Sequence, residues 1–423
     1  MAECLQEKSM IGDFKGLLRS LNAYKAFAAY NMVLIHAVSI MHPVLAPLGY
    51  GDRQVRGSML RGFFSMTLPV IAGFYMRHLI GPYLENGRLR IDLSERMKTL
   101  VFSLLALEAI RLYTITFDLG WIFSWQVLHF IGLSVLVTYF CLKRGEKFLM
   151  GILLADIVLA LILPPSIDQL ASLEISPEIL QWGSWIKSIL FGALLARGAW
   201  MWKKNYFLSA MFLLAGMALM HFFGFRDPQN LTSFILLPAG IFSQVPGTRN
   251  FWPFLPFFPL FLFGYFLRFF LFDIKNQRWF LPLTAIVGIG GIIGLYLGFL
   301  SPDLKVLPTN AFSLEIFRRG LPGTMLFMSI FYFSWLGFYF LLKSHRFLWL
   351  DKWTQRAGNV LTLYLIHTLL YVLLKMFFLK IPELVNRYMG LGQMYLLLHV
   401  VYVLSVYLSY NFVRISNLRR KGI

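Results

Sequence analysis

Lys25 and His36 stand eleven residues apart in the apolar stretch LNAYKAFAAYNMVLIHA. At about 1.5 Å per helical residue that separation is roughly 16 Å, enough to leave Lys25 at a membrane interface with His36 near the bilayer midplane. An imidazole at that depth is costly unless it is used or is hydrogen-bonded to a neighbouring span. Its uses are those of a neutral base or nucleophile: taking a proton from a hydroxyl or amine, or carrying a transferred group for one step. Lys25, at the interface, suits an anionic group.

Other polar side chains fall inside apolar runs at comparable depth. Counted from the same membrane face, Glu108 and Arg111 lie roughly 14–20 Å in, Asp156 roughly 12 Å and His367 roughly 14 Å. Glu108 and Arg111 are three residues apart, so they share a helical face and can neutralise each other, which makes a structural ion pair the plain reading of that pair. Tyr364 precedes His367 by three residues and shares its face. For His367 alone, packing is the plain reading. For the set, a polar cavity reached from both sides explains more.

The elements that must position these groups are membrane helices. The chain has 423 residues, of which 58% are hydrophobic, 17% aromatic and 14% charged, with a mean hydropathy of +0.66. Such a composition excludes an ordinary soluble globule and predicts an all-α, polytopic integral membrane bundle. Apolar runs place twelve spans (ten to twelve) at about 24–43, 58–77, 98–117, 125–142, 148–164, 180–198, 205–224, 251–272, 279–300, 321–342, 358–379 and 392–413. Under that placement about two-thirds of the 39 Lys and Arg residues share the face of the N-terminus, which the positive-inside rule makes cytoplasmic, with both termini there. The formal net charge of +19 is then mostly a matter of topology, and it argues for no nucleic-acid partner. Cys4 and Cys141 make neither a disulfide framework nor a metal site, and no metal is expected.

The first apolar run lacks a small-residue cleavage pattern and reads as a retained span. We divide the chain into an interfacial N-terminal segment (1–20), a single transmembrane domain (21–415) and a basic tail (416–423). Two loops on the far face, about 225–250 and 301–320, are longer than simple connections. The second carries Arg318 and Arg319, and such loops could line the mouth of a binding site.

The Lys25 to His36 spacing resembles the Arg/Lys, ten residues, His signature of the acyltransferase-three membrane proteins, whose wider superfamily includes the heparan-α-glucosaminide N-acetyltransferase-like proteins. LPVIAGFYMR, VLHFIGLSVLV, FPLFLFGYFLR and GNVLTLYLIH are similar, in that order, to segments of the same superfamily. Together they run from about residue 20 to 370. Where the family usually has Asp three residues before an Arg, this chain has Asn22 and Lys25.

The resemblance implies transfer of an acyl group, acetyl being the simplest, from cytoplasmic acyl-CoA to a hydroxyl or amine of a glycan or glycolipid on the far side of a bacterial inner membrane. It implies His36 as general base or transient acyl carrier, assisted by Glu108 and His367. Lys25, Arg77, Arg96, Lys98 and Arg268 would hold the CoA phosphates. His129, Tyr364, Arg111, Arg318 and Arg319 would line the path of the acceptor. Membrane lipids are the expected surroundings, with a homodimer among the assemblies the reading allows. A transporter or flippase for a lipid-linked or anionic solute is the alternative, because midplane charges also mark transport paths; a non-catalytic scaffold would leave the buried His and Glu unexplained.

Overall fold

A computed structural model of the chain describes residues 14–49, 64, 67–116, 127–171, 177–201, 204, 205, 208, 209, 212, 216, 254–268, 280–296, 320–343, 348–357 and 359–420. The fold is all-α. Among the described residues the helices are α1 (Phe14–Leu45), α2 (Leu68–Ile80), α3 (Ser94–Thr116), α4 (Val127–Arg144), α5 (Glu146–Ala171), α6 (Pro177–Met201), α7 (Phe254–Arg268), α8 (Phe280–Leu295), α9 (Gly320–Lys343), α10 (Leu348–Ala357), α11 (Val360–Lys380), α12 (Pro382–Tyr388) and α13 (Leu391–Arg420). One short hairpin, β1 (Leu84–Glu85) and β2 (Arg88–Leu89), interrupts them. Six of the described helices are long and apolar enough to cross a membrane.

Each predicted span except 205–224 overlaps one of these helices; 205–224 lies almost wholly outside the described residues. The helix of the first span begins earlier than expected, at Phe14, so the end of the predicted interfacial segment is continuous with it. Leu17, Ser20 and Leu21 are buried, and that packing carries the helix on. The chain divides into two compact units, one of Met1–Phe74, Gly264–Ser313 and Met325–Ile423, the other of Tyr75–Phe263 and Leu314–Thr324.

In the first unit α1 packs on α10, α11 and α13, and α11 packs on α13. Its alanines explain the close approach, since Ala23, Ala26, Ala28, Ala29 and Ala37 are fully buried and small side chains let membrane helices come together. Aromatic edges complete the packing: Tyr24 meets Phe331 of α9 at 5.1 Å and Phe338 at 6.0 Å between ring centroids. The Tyr24 hydroxyl bonds Thr67 Oγ1 at 2.8 Å, and Thr67 donates in turn to the Phe64 carbonyl at 2.6 Å. Gly264 of α7 lies against the backbone of α2, where a Cβ would run into the Val70 carbonyl.

In the second unit α3 and α4 pack along their length. Gly132 lies at their contact, where a Cβ would stand at an ordinary 3.7 Å from Leu105 and Val101. The hairpin turns on Asn86 and Gly87, both at positive φ (50° and 75°), as a two-residue Asn-Gly turn requires. It docks on the α4–α5 turn, where the Glu146 N–H donates to the Gly87 carbonyl at 2.9 Å. Arg77 pairs with the Glu146 carboxylate beside it.

Candidate functional site

The site with defined proton chemistry lies in the first unit, between α1 and α11. His36 Nδ1 is 3.1 Å from His367 Nε2, and the two rings are inclined by only 12°. On its other side His367 Nδ1 is 2.7 Å from the Leu363 carbonyl. A carbonyl can only accept, so neutral His367 carries its proton on Nδ1 and offers a lone pair at Nε2. His36 must then donate from Nδ1. Its own Nε2 is left in lone-pair form, the state a base or nucleophile needs.

Surrounding groups hold this arrangement. Tyr364 stands edge-on to both imidazoles, at 5.5 Å from His36 and 5.7 Å from His367. Tyr371 closes the next turn, 6.2 Å from His367. Thr368 donates to the Tyr364 carbonyl at 2.9 Å and lies 3.4 Å from His367 Nε2. His367 and Tyr371 are fully buried and Tyr364 nearly so, whereas His36 is only half-buried. His36 is therefore the more accessible member of the pair.

Lys25 lies on the same helix, half-buried. Eleven helical residues amount to three turns and about 20°, so Lys25 and His36 share one stripe of α1 about 16 Å apart. Arg268, also half-buried, ends α7 in the same unit. Of the remaining predicted phosphate-holding residues, in the second unit, Arg77 is engaged by Glu146 and Lys98 by Glu95 at 2.8 Å. Arg96 is exposed.

The second unit also holds the predicted ion pair. Arg111 reaches one oxygen of Glu108 with Nε at 2.8 Å and Nη2 at 2.5 Å, and both residues are buried. Asp92, just before α3, bonds Tyr139 near the end of α4, and Leu105 meets Gly132 farther along both helices. The two helices are thus antiparallel, which brings His129, fully buried, level with Glu108. Asp156 of α5 is buried, with neither carboxylate oxygen hydrogen-bonded among the described residues. Arg318 and Arg319 lie outside the described residues.

One group escaped the sequence reading. His399 of α13 repeats the pattern of His367: its Nδ1 is 2.7 Å from the Tyr395 carbonyl one turn back, and its Nε2 is 3.0 Å from the Tyr30 hydroxyl of α1. Tyr30 therefore donates to it. The rule that singled out His367, an ionisable residue within an apolar run, applies equally to MYLLLHVV. Two histidines with the same locked tautomer thus face α1, one receiving His36 and the other Tyr30. No protein-family model, no curated protein and no solved structure matches the chain, and the geometry of these residues is what carries the functional reading.

Proposed function

We propose that the chain is a membrane-embedded acyltransferase, moving an acyl group from cytoplasmic acyl-CoA to a hydroxyl or amine acceptor, such as a glycan, on the opposite face. The observation that carries this reading is the chain of donors from His36 Nδ1 to His367 Nε2 and from His367 Nδ1 to the Leu363 carbonyl, which leaves His36 Nε2 basic. Both termini would be cytoplasmic, with about twelve spans, because that arrangement collects most of the basic residues on one face. Lys25, on the His36 stripe at the N-terminal side, would meet the CoA phosphates.

As a carrier, His36 Nε2 attacks the thioester carbonyl carbon. The C–S bond breaks and its electron pair leaves with sulfur, while the His36 Nδ1 proton passes to His367 Nε2, so the acyl-imidazole is neutral. The acceptor oxygen or nitrogen then attacks the same carbonyl carbon. The C–N bond breaks, its electron pair returns to Nε2, and His367 returns the proton to Nδ1. The proton lost by the acceptor neutralises the CoA thiolate, and atoms and charge balance. As a general base, the same Nε2 removes the acceptor proton directly, and His367 Nε2, accepting from Nδ1, stabilises the imidazolium that forms.

Radiolabelled acetyl-CoA mixed with the purified protein in detergent tests the reading. Label transferred to an acceptor, absent in His36→Ala and weakened in Lys25→Ala at low donor concentration, is the expected result. Label held on a His36 peptide before acceptor is added marks the carrier route. Transfer in His36→Ala within about tenfold of the parent would remove His36 from the reaction and leave His42 or His129 as the next candidates.

A further inference from the structure

The C-terminal half of α1 leaves one stripe open. From the half-buried His36, the exposed positions are Ser39, His42, Pro43 and Ala46, whereas Ala37, Val38, Ile40, Met41, Val44 and Leu45 are buried. Steps of three and four residues put the exposed positions on one face. That face begins with imidazole, hydroxyl and imidazole. Pro43 adds a further polar group, for it lies inside the helix and has no N–H, so the Ser39 carbonyl receives no helical bond from it.

Other exposed stripes of the same unit are different in kind. On α8 the outward residues include Ile286, Ile289 and Ile292, and on α13 they include Leu396, Val400 and Val403. Apolar stripes of that sort suit lipid. A stripe of imidazoles, a hydroxyl and a proline-interrupted helical turn does not, since polar side chains within a span face the bundle interior or a water-filled cavity.

We infer that the His36–Ser39–His42 stripe is the wall of a water-filled path from the C-terminal end of α1 to Nε2 of His36, and that its passenger is a hydrophilic acceptor bearing hydroxyls or amines. Ser39 and His42 would be its contact residues, offering one hydroxyl, one ring and one carbonyl to successive polar groups. The identity of the passenger rests on the acyl-transfer reading; the existence of the path does not.

The test uses the full chain in membrane vesicles with Cys4 and Cys141 replaced by Ser, and single cysteines at Ser39, His42, Met41 and Leu369. Met41 is buried, and Leu369 is an exposed apolar position of α11. A charged, water-soluble methanethiosulfonate should modify Ser39→Cys and His42→Cys at least an order of magnitude faster than Met41→Cys or Leu369→Cys. An uncharged aromatic maleimide should reverse the preference toward Leu369→Cys. The adduct at position 42 should slow carbethoxylation of His36 by diethylpyrocarbonate, followed by peptide mass spectrometry. Charged labelling at 39 and 42 no faster than at 369 would mean that the stripe faces lipid, which overturns the path. An unchanged His36 carbethoxylation rate beneath the adduct would overturn its connection to His36. Loss of acetyl transfer in the assay above, with this labelling pattern intact, would sink the acyltransferase reading and leave the path standing.

Discussion

Two polar pairs set in apolar helices of this protein are built on opposite principles. In the second unit Glu108 and Arg111 sit one turn apart on a single helix, with two guanidinium nitrogens on one carboxylate oxygen. In the first unit His36 and His367, 331 residues apart in sequence, meet through one hydrogen bond between two imidazole rings. An ion pair in a low-dielectric interior is fixed in its protonation, because moving a proton would strand a charge. An imidazole pair can pass a proton across its hydrogen bond and back, with a carbonyl holding the far end. The first arrangement suits structure. The second suits turnover.

The largest effect that would test this difference is on folding. Arg111→Met should take the guanidinium away from the buried Glu108 carboxylate and cost about 3–5 kcal/mol, seen as a collapse of the monodisperse peak in detergent gel filtration. Glu108→Leu with Arg111→Met, which removes both charges, should restore most of the loss. Glu108→Gln alone tests whether this carboxylate serves turnover: intact folding with lost acetyl transfer would give it a part in catalysis and break the comparison.

A smaller effect on stability, with a large one on rate, is expected in the first unit. Glutamine at 367 still offers a carbonyl oxygen to His36 Nδ1–H but cannot take its proton. His367→Gln should therefore change thermal stability by only about 1 kcal/mol while lowering acetyl transfer about 10²-fold. The measurement is initial rate beside melting temperature on the same preparation. A rate within a few fold of the parent would make His367 a packing residue and erase the contrast between the pairs. Tyr30→Phe should leave the rate nearly intact, because the His399 bond holds α1 to α13 without touching His36 Nε2.

What could be read before the fold was known follows the same division. Periodicity and charge located the helices, since a long apolar run has few alternatives in lipid. The Glu108–Arg111 pair was legible because i, i+3 spacing fixes its geometry within one helix. The His36–His367 bond was not, because nothing in a sequence fixes the register of two distant helices; each histidine could be found, but not the meeting. The bond between Tyr30 and His399, on α1 and α13, is illegible for the same reason. The hairpin has its signal, LENGRL, with Asn-Gly between two short strands that each pair a leucine with a charged residue.

The weakest of the expected effects lies outside the membrane helices, at Asp92, where the Tyr139 hydroxyl and the Ser94 N–H bond one oxygen at 2.5 and 2.9 Å. Those two hydrogen bonds, with Lys143 nearby at 3.5 Å, hold the carboxyl well below its ordinary range. A carboxyl depressed in the folded state adds stability above its unfolded value of about 3.9, and that stability is lost as the pH falls below it. The side chain is 66% exposed, so screening by solvent keeps the contribution small. The melting temperature should be level between about pH 7 and 5 and begin to fall below about pH 4, the parent losing more than Asp92→Asn over that range. Tyr139→Phe, which removes the shortest bond, should make the fall smaller while leaving its onset near pH 4. A parent and an Asp92→Asn variant with the same acid profile would show that the contact between this carboxyl and α4 adds nothing.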